Sequence, residues 1–301
     1  MHVPVLTKEV IEYLNPEKNE NFIDCTIGQA GHSKLVLEKT GPGGKVLGID
    51  MDPRQIEKSR LQLAEFGDRA ILISDSYANL KKIVEENNFY RVSGILLDLG
   101  MSSEQLENSG RGFSFKKNEP LDMRYGAEFS ISNFQFSNLT AEKIVNEWRQ
   151  EDIERILKEY GEEKFARQIT NKIIEARKIK PIKTTFELIE IIERALPKRL
   201  LHGRIHFATK TFQALRITVN DELNNLKKVL PQTLDILEKG GRMAIISFHS
   251  LEDRIVKNFL KDSYEGGAIE ILTKKPITPS GDEIVKNHSS RSAKLRAAAK
   301  K

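Results

Sequence analysis

The run Asn21-Phe22-Ile23-Asp24-Cys25-Thr26-Ile27-Gly28-Gln29-Ala30-Gly31-His32-Ser33 decides how this chain folds. It opens on a short apolar stretch of strand length and ends on small residues that lead into a helix. Small residues let the backbone turn tightly and come close to a ligand. The free N–H groups at the start of the following helix favour an anion, either a pyrophosphate or the carboxylate of a methionine moiety. Three more apolar runs follow: Lys45–Ile49 ending at Asp50, Ala70–Ser74 ending at Asp75, and Ser93–Leu97 ending at Asp98. Helical stretches, Pro53–Phe66 and Asn79–Asn87, lie between them. Strands that alternate with helices form βαβ units and a parallel sheet, and ligands of such sheets sit beyond the carboxyl ends of the strands. Asp24, Asp50, Asp75 and Asp98 are therefore expected along one rim. One such acid alone reads as a helix N-cap. Four in register read as a binding site.

Asp50 stands where an acid accepts hydrogen bonds from the ribose hydroxyls of a nucleoside cofactor. Nicotinamide enzymes and methyltransferases share that feature. Two others favour S-adenosylmethionine. Gln29-Ala30-Gly31 breaks the G-x-G-x-x-G spacing, and Asp75-Ser76-Tyr77 offers an acceptor for an adenine amine and an aromatic face. Tyr77 also reads as a residue at the edge of the core. Cys25 reads as a small buried residue rather than a nucleophile.

Beyond Asp98 the pattern changes. Met101–Met123 is rich in Gly, Ser and Asn, and the chain then reads helical over Thr140–Trp148, Asp152–Glu159, Glu162–Lys178 and Thr184–Leu196. Phe207–Leu237 reads as long helices broken at Pro231. Arg242–Phe248 is a clear strand, Leu251–Lys261 a helix, and Ala268–Thr273 resembles a final strand. The expected fold is α/β: a Rossmann-like methyltransferase core in two pieces, 1–104 and 207–301, with an all-helical insertion over 105–206.

Composition bounds the partners. Hydrophobic residues make up 39% and charged residues 30% of the 301 positions, an ordinary globular balance. No apolar run approaches the ~18 residues of a membrane span. Lys8, Glu9 and Glu12 interrupt the N-terminal stretch, unlike a signal peptide. A single cysteine excludes an internal disulfide framework and suits the cytoplasm. Residues 274–301 carry eight Lys/Arg and two acids, so the +5 of the whole chain resides in its last segment. Two readings of that segment stand: a solvated tail, or a contact for RNA or DNA phosphates. The six histidines are scattered and no cysteine cluster occurs, so no metal site is expected.

At Leu97-Asp98-Leu99-Gly100-Met101-Ser102-Ser103-Glu104-Gln105-Leu106 the sequence becomes specific. With it go His2-Val3-Pro4-Val5-Leu6, Arg111-Gly112-Phe113-Ser114-Phe115, Pro120-Leu121-Asp122-Met123-Arg124 and Tyr160-Gly161-Glu162-Glu163. Thr211-Phe212-Gln213-Ala214-Leu215-Arg216-Ile217, Ser247-Phe248-His249-Ser250-Leu251-Glu252-Asp253-Arg254 and Arg291-Ser292-Ala293-Lys294-Leu295-Arg296 complete the set. Nearly end to end, the chain resembles the bacterial ribosomal RNA small-subunit methyltransferase H family, also called the MraW family. The resemblance implies methyl transfer from S-adenosylmethionine to the exocyclic N4 of a cytidine in small-subunit ribosomal RNA, free or in the assembled small subunit. It implies a donor site of Ala30, Gly31, His32, Asp50, Tyr77, Asp98 and Gln105, and an RNA-facing role for the helical insertion. Two positions depart from the family pattern. Ala30 stands where glycine is usual, which is tolerable only at a φ below zero and with room for the ligand. Ser289 replaces a usual basic residue, removing one expected phosphate contact.

Cytosine N4 is a poor nucleophile, because its lone pair delocalises into the ring. An acceptor at its amino hydrogens favours attack, and Asp98 is the candidate; the alternative is that Asp98 only binds the donor. His249, with Ser247 after the fifth strand, is the candidate base, with a structural histidine as the alternative. Phe113 and Phe115, flanked by Arg111, Lys116 and Lys117, read either as a stacking surface for RNA or as a plug that anchors a loop. The expected RNA contacts are Arg111, Phe113, Arg124, Arg291, Lys294 and Arg296. A nicotinamide-dependent dehydrogenase is the rival enzyme class, and leaves Asp75-Ser76-Tyr77 and the basic segment without a purpose. A non-catalytic RNA-binding assembly factor is the rival outside enzymology, and leaves the strand-end acids unexplained.

Overall fold

The computed structural model describes residues 4–126, 138–203 and 205–301. His2 and Val3 of the N-terminal motif lie outside the described residues. In chain order the elements begin α1 (Thr7–Leu14), β1 (Asn21–Asp24), α2 (Gly31–Thr40), β2 (Val46–Asp50), α3 (Pro53–Gln62), β3 (Ala70–Ser74), α4 (Leu80–Glu86) and β4 (Val92–Asp98). Then come the helices α5 (Ser103–Asn108), α6 (Ala141–Glu147), α7 (Gln150–Glu159), α8 (Ala166–Arg177), α9 (Thr185–Ala195), α10 (Thr209–Asn220) and α11 (Glu222–Ile236). The chain ends with β5 (Leu237–Ser247), α12 (Ser250–Glu265), β6 (Ile269–Ile271), α13 (Gly281–Lys286) and β7 (Lys294–Lys300). It divides into two compact units, residues 1–102 with 223–301, and residues 103–222.

The first unit is built on a seven-stranded sheet of order β3-β2-β1-β4-β5-β7-β6. β1 to β5 run parallel, while β7 runs antiparallel to both of its neighbours. Period-two alternation along the central strands sends side chains to both faces. Ile23, Leu47, Ile95, Leu97, Met243 and Ile245 join one buried cluster with residues of α4, α11 and α12. Phe22, Val46, Leu96, Ala244, Ile246 and Leu295 join another with residues of α1, α2 and α3. Both faces are thus covered, and ligands are left only the rim. The outer strand β3 is half-buried along its length.

Two expectations for the C-terminal half change. The long helix is interrupted at Asp221 (φ 50°), not at Pro231, which lies inside α11. A helix-interior proline removes a hydrogen bond and costs ~3 kcal/mol. Leu226, Val229 and Leu230 are buried in the core around it, and that burial, at ~1.5–3 kcal/mol per large aliphatic side chain, exceeds the loss. The second change is β7. Residues 294–300 are not a solvated tail but an inner strand between β5 and β6, with Ala297 and Ala298 fully buried.

In the helical unit, α7 packs on α8 and α8 on α9. Thr184 closes a capping box at α9 with Glu187. The unit extends to Glu222, past the expected end at 206, because α10 packs on α6 and α7. Arg216 meets Glu222 through two short bonds, Nε to Oε1 at 2.8 Å and Nη2 to Oε2 at 2.9 Å, and the Tyr125 hydroxyl donates to the same carboxylate. No helix among the described residues is long and apolar enough to cross a membrane.

Candidate functional site

In the chain order of the strands, the sheet reverses beside β1: β2 and β3 extend to one side of it and β4 and β5 to the other. The crevice at such a reversal is where open α/β sheets bind ligands. Register places Asp50 beside Ser74, Asp24 beside Leu96 and Asp98 beside Ile246. The strand-end acids thus follow one another along one rim, but they do different work.

Asp24 is turned inward. It is 4% exposed, and its carboxylate accepts from the Thr26 N–H at 3.1 Å and from the Ser33 hydroxyl at 2.6 Å. Burial raises its pKa above the usual carboxylate range, against the hydrogen bond from Ser33. Asp24 therefore fastens the loop between β1 and α2, and is not a grip for a ligand. Thr26, absent from the expected site, ties that loop to β4 through its hydroxyl, which accepts from the Asp98 N–H at 2.6 Å. A polar residue two places after a strand-end acid was the available signal for it.

Asp50 holds the other side of the loop. Its Oδ2 accepts from the Gly28 N–H at 3.0 Å and its Oδ1 from the Asp52 N–H at 2.9 Å. A carboxylate has about four acceptor positions, so both oxygens retain capacity. Burial pushes Asp50 up to about 7, outweighing the two N–H donors that favour its charged form. The Gly28 carbonyl in turn accepts from the Ser59 hydroxyl at 2.7 Å. A Cβ at Gly48 on β2 would lie 2.1 Å from Ile27 Cδ1, so Gly48 lets the loop pack directly on the sheet.

Ala30 caps α2 at φ 60° and is buried. The condition for tolerating a methyl there, a φ below zero, is not met. Replacement by glycine has opposing effects: relief of a left-handed alanine, ~1–2 kcal/mol, against glycine's chain entropy, ~0.5–1 kcal/mol, and a lost buried methyl, ~0.8 kcal/mol. Ala30→Gly is therefore expected to be nearly neutral in urea unfolding. A β-branched residue is a genuine outlier in that region, so Ala30→Val is expected to destabilise by about 2 kcal/mol or more. Equal stability of the two variants would show that the loop relaxes. Gly31 is required for space: a Cβ there would lie 2.5 Å from Pro4 Cγ.

His32, on the first turn of α2, is 5% exposed. Its Nε2 stands 3.6 Å from Asp98 Oδ2, too far for a hydrogen bond, and neither ring nitrogen has a hydrogen-bond partner. Buried polar atoms are almost always paired, so this orphaned imidazole beside a strand-end carboxylate fits a polar ligand. Asp98 Oδ1 lies 3.4 Å from the Gly100 N–H. Tyr77 lies in a short 3-10 turn after β3, half-buried against the core, and Asp75 accepts from the Asn79 side chain at 2.9 Å. Gln105 is buried on α5, in the helical unit.

Several expected residues are placed otherwise. His249 is the N-cap of α12: its Nδ1 accepts from the Glu252 N–H at 3.4 Å, and its Nε2 lies 3.1 Å from Glu252 Oε1. Nδ1 is engaged in capping the helix, while the buried Nε2 has no hydrogen-bond partner. Arg296 is buried on β7 and donates to Asp253 at 2.7 Å, with Lys294 on the other oxygen at 3.2 Å. Burial alone would raise the Asp253 pKa, but these two cations hold it below the usual range. Arg111 is buried and donates to the carbonyls of Arg124 and Tyr125, and Phe113 is buried in a stack on Tyr125 at 5.4 Å. Arg124 is engaged by Asp122 at 2.7 Å. Of the expected RNA contacts, Arg291 alone is exposed. Phe113 is a plug, and Arg111→Ala is expected to cost about 2 kcal/mol of stability in urea unfolding, because it removes a buried side chain and the donor to the half-buried Arg124 and Tyr125 carbonyls. A variant of full stability with weakened RNA binding would be the contrary result.

The sequence model of the MraW methylase family matches residues 1–301. The Ribosomal RNA small subunit methyltransferase H of Thermotoga neapolitana is 45% identical over 300 residues, covering 99% of this chain and 95% of its own length. That of Persephonella marina is 48% identical over 297 residues, covering 99% and 98%. Among solved structures, a putative rRNA-methylase from Clostridium thermocellum aligns over 100% of both chains with a TM-score of 0.49 at 12% identity.

Proposed function

The chain belongs to the MraW methylase family, and from that premise we propose that it moves a methyl group from S-adenosylmethionine to the exocyclic N4 of a cytidine in small-subunit ribosomal RNA. It is an S-adenosylmethionine-dependent methyltransferase. The observation that carries the reading is the rim itself: Asp50 with acceptor capacity on both oxygens, and the orphaned His32 beside Asp98 at the sheet reversal. Its relatives are named for the RNA of the small ribosomal subunit, and the same RNA, free or assembled, is the proposed substrate. The proposed setting is the cytoplasm, where that RNA resides.

S-adenosylmethionine supplies an electrophilic methyl on a positively charged sulfur. Asp50 would accept from the ribose hydroxyls. Gly31 opens α2, whose free N–H groups would suit the donor's carboxylate. Tyr77 would serve the adenine, and His32 would supply a polar partner next to Asp98. Gln105 completes the set carried from the family pattern. Bound there, the donor would supply the methyl for a new N–C bond at N4, the C–S bonding pair staying with sulfur, and N4 would release one proton to solvent. Asp98 accepts a hydrogen bond from the amino group, which localises the lone pair for attack. The target base must leave its stack to reach the rim, at a cost of a few kcal/mol.

The test is to incubate purified small subunits with the protein and isotopically labelled donor, digest the RNA, and map the methylated nucleosides by mass. Label on cytidine N4 is the expected result. Label on carbon or on another base would refute the assignment.

A further inference from the structure

The segment Pro4-Val5-Leu6, which leads into α1, has no part in the sheet, yet it is packed against the loop that opens α2. Val5 is 5% exposed and Leu6 is fully buried. Both join the cluster that holds Ala30 of that loop and Ala293, just before β7. The Pro4 ring rests on the α-carbon of Gly31, where even a methyl group would come within 2.5 Å of Pro4 Cγ. The Pro4 carbonyl accepts from the Thr7 hydroxyl at 2.8 Å, which ties the segment to the first turn of α1.

Leu6 is where the segment is clamped. It caps α1 at φ 51° with no side-chain cap hydrogen bond. A bulky residue rarely adopts this left-handed backbone, and it persists only where the surroundings hold it. Here the Leu6 N–H donates to Glu283 Oε1 at 2.8 Å, across 277 positions of the sequence. A charged acceptor makes such a bond roughly twice as strong as a neutral one. Glu283 is itself fixed. It lies in the first turn of α13, where its N–H donates to the Ser280 hydroxyl at 3.2 Å, and Ile277 just before that helix bridges to Leu295 of β7. A carboxylate anchored to the sheet thus holds the N-terminal segment down.

What the segment covers is the start of α2. The first N–H groups of a helix lack an intrahelical acceptor, and an anion is their natural partner. A second feature at the same place points to a ligand: His32, on the first turn of this ten-residue helix, is 5% exposed with neither ring nitrogen hydrogen-bonded. An apolar ring over such a place excludes competing water, and so strengthens the attraction between the N–H groups and a carboxylate. Proline does this without adding an N–H of its own.

We propose that Pro4-Val5-Leu6 is a strap over the methionine end of the donor, that the Leu6–Glu283 bond latches it, and that the latched strap slows release of S-adenosylmethionine. This rests on the donor reading above. Pro4 and Glu283 are positioning residues, Glu283 acting through Leu6.

The experiment measures donor affinity by calorimetry and donor release by chasing labelled S-adenosylmethionine with an excess of unlabelled. It also measures affinity for methylthioadenosine, which has the adenosine and the sulfur but no amino-acid end. The full chain is compared as wild type, Glu283→Ala, Glu283→Gln and Pro4→Ala. Glu283→Ala is expected to speed donor release roughly tenfold, the loss of one bond to a charged acceptor, and to weaken donor affinity to match, with methylthioadenosine affinity unchanged. Glu283→Gln keeps an acceptor for the Leu6 N–H and should restore most of the retention. Pro4→Ala leaves the latch and takes the ring off Gly31, so it should weaken donor binding with the same selectivity, and it decides the matter if Glu283→Ala does not fold. Donor release unchanged in either alanine variant would overturn the strap. Equal losses for both ligands would also overturn it, since they mark a loop disturbed as a whole. Failure of the wild type to bind S-adenosylmethionine would overturn the strap and the donor reading together.

Discussion

Asp50→Ala is expected to weaken S-adenosylmethionine binding by roughly a hundredfold or more, measured by calorimetry. A hydrogen bond to a charged acceptor is worth ~1.5–3 kcal/mol, and two ribose hydroxyls give ~3 kcal/mol at the least, about two decades in Kd. The variant also leaves the Gly28 and Asp52 N–H groups without their acceptor, so the loop that carries Ala30 and Gly31 loses one of its ties to β2 and keeps the bond from the Ile27 N–H to the Ile49 carbonyl. The wild type should show a pH signature that the variant lacks. Asp50 has its pKa raised by burial from 3.8 to about 7. The donor-free protein therefore gains stability from the neutral carboxyl below about pH 3.8, loses that gain as pH rises, and has lost it above about pH 7. Ribose hydroxyls prefer the charged form. Donor affinity should thus fall as pH drops below about 7, by up to ~tenfold per unit, and level off above it. A wild-type Kd that is flat between pH 5 and pH 8 (~2 units either side of the transition at most) would remove Asp50 from the donor site.

How much of this was legible in the chain differs from residue to residue. The apolar runs ending at Asp24, Asp50, Asp75 and Asp98 mark β1 to β4 within a residue or two, because short runs of large aliphatic residues between turn signals are a strand signature, even for the half-buried β3. The direction of each acid was not legible. Asp24 and Asp50 occupy equivalent places, yet Ser33 on α2 pulls Asp24 inward while two backbone N–H groups hold Asp50 at the rim. That depends on what packs opposite, which spacing along a strand does not encode. The strand β7 was hidden for another reason. Lys294-Leu295-Arg296-Ala297-Ala298-Ala299-Lys300 is made of helix formers and cations, and only its position between β5 and β6 makes small side chains the right fit. Tertiary pairing overrides local propensity there. Arg296 follows from the same cause: it reads as a free cation in the sequence, and Asp253 neutralises it in the fold. Arg111 and Phe113 reverse for a related reason, since a glycine-flanked Arg-x-Phe says nothing about whether the loop folds inward or outward.

Asp98→Asn should separate binding from chemistry. Its backbone is fixed independently of its carboxylate: the N–H is held by Thr26, and the strand pairs with β5 through Ile246. The amide is nearly the same size, so the rim keeps its shape, but the negative charge and one acceptor are gone. If Asp98 localises the N4 lone pair, single-turnover methyl transfer should fall by ~10²–10³-fold, the usual loss when one aimed electrostatic group is removed, while the donor Kd changes by less than about tenfold. If Asp98 serves only the donor, the Kd should carry the loss and the rate at saturating donor should survive. His32 provides the cross-check, since its Nε2 lies 3.6 Å from Asp98 Oδ2. His32→Gln keeps a polar group beside the carboxylate, so it should weaken donor binding without adding to the rate defect of Asp98→Asn in the double variant. Full turnover by Asp98→Asn with the donor bound would take this carboxylate out of the reaction and leave methyl transfer to positioning alone.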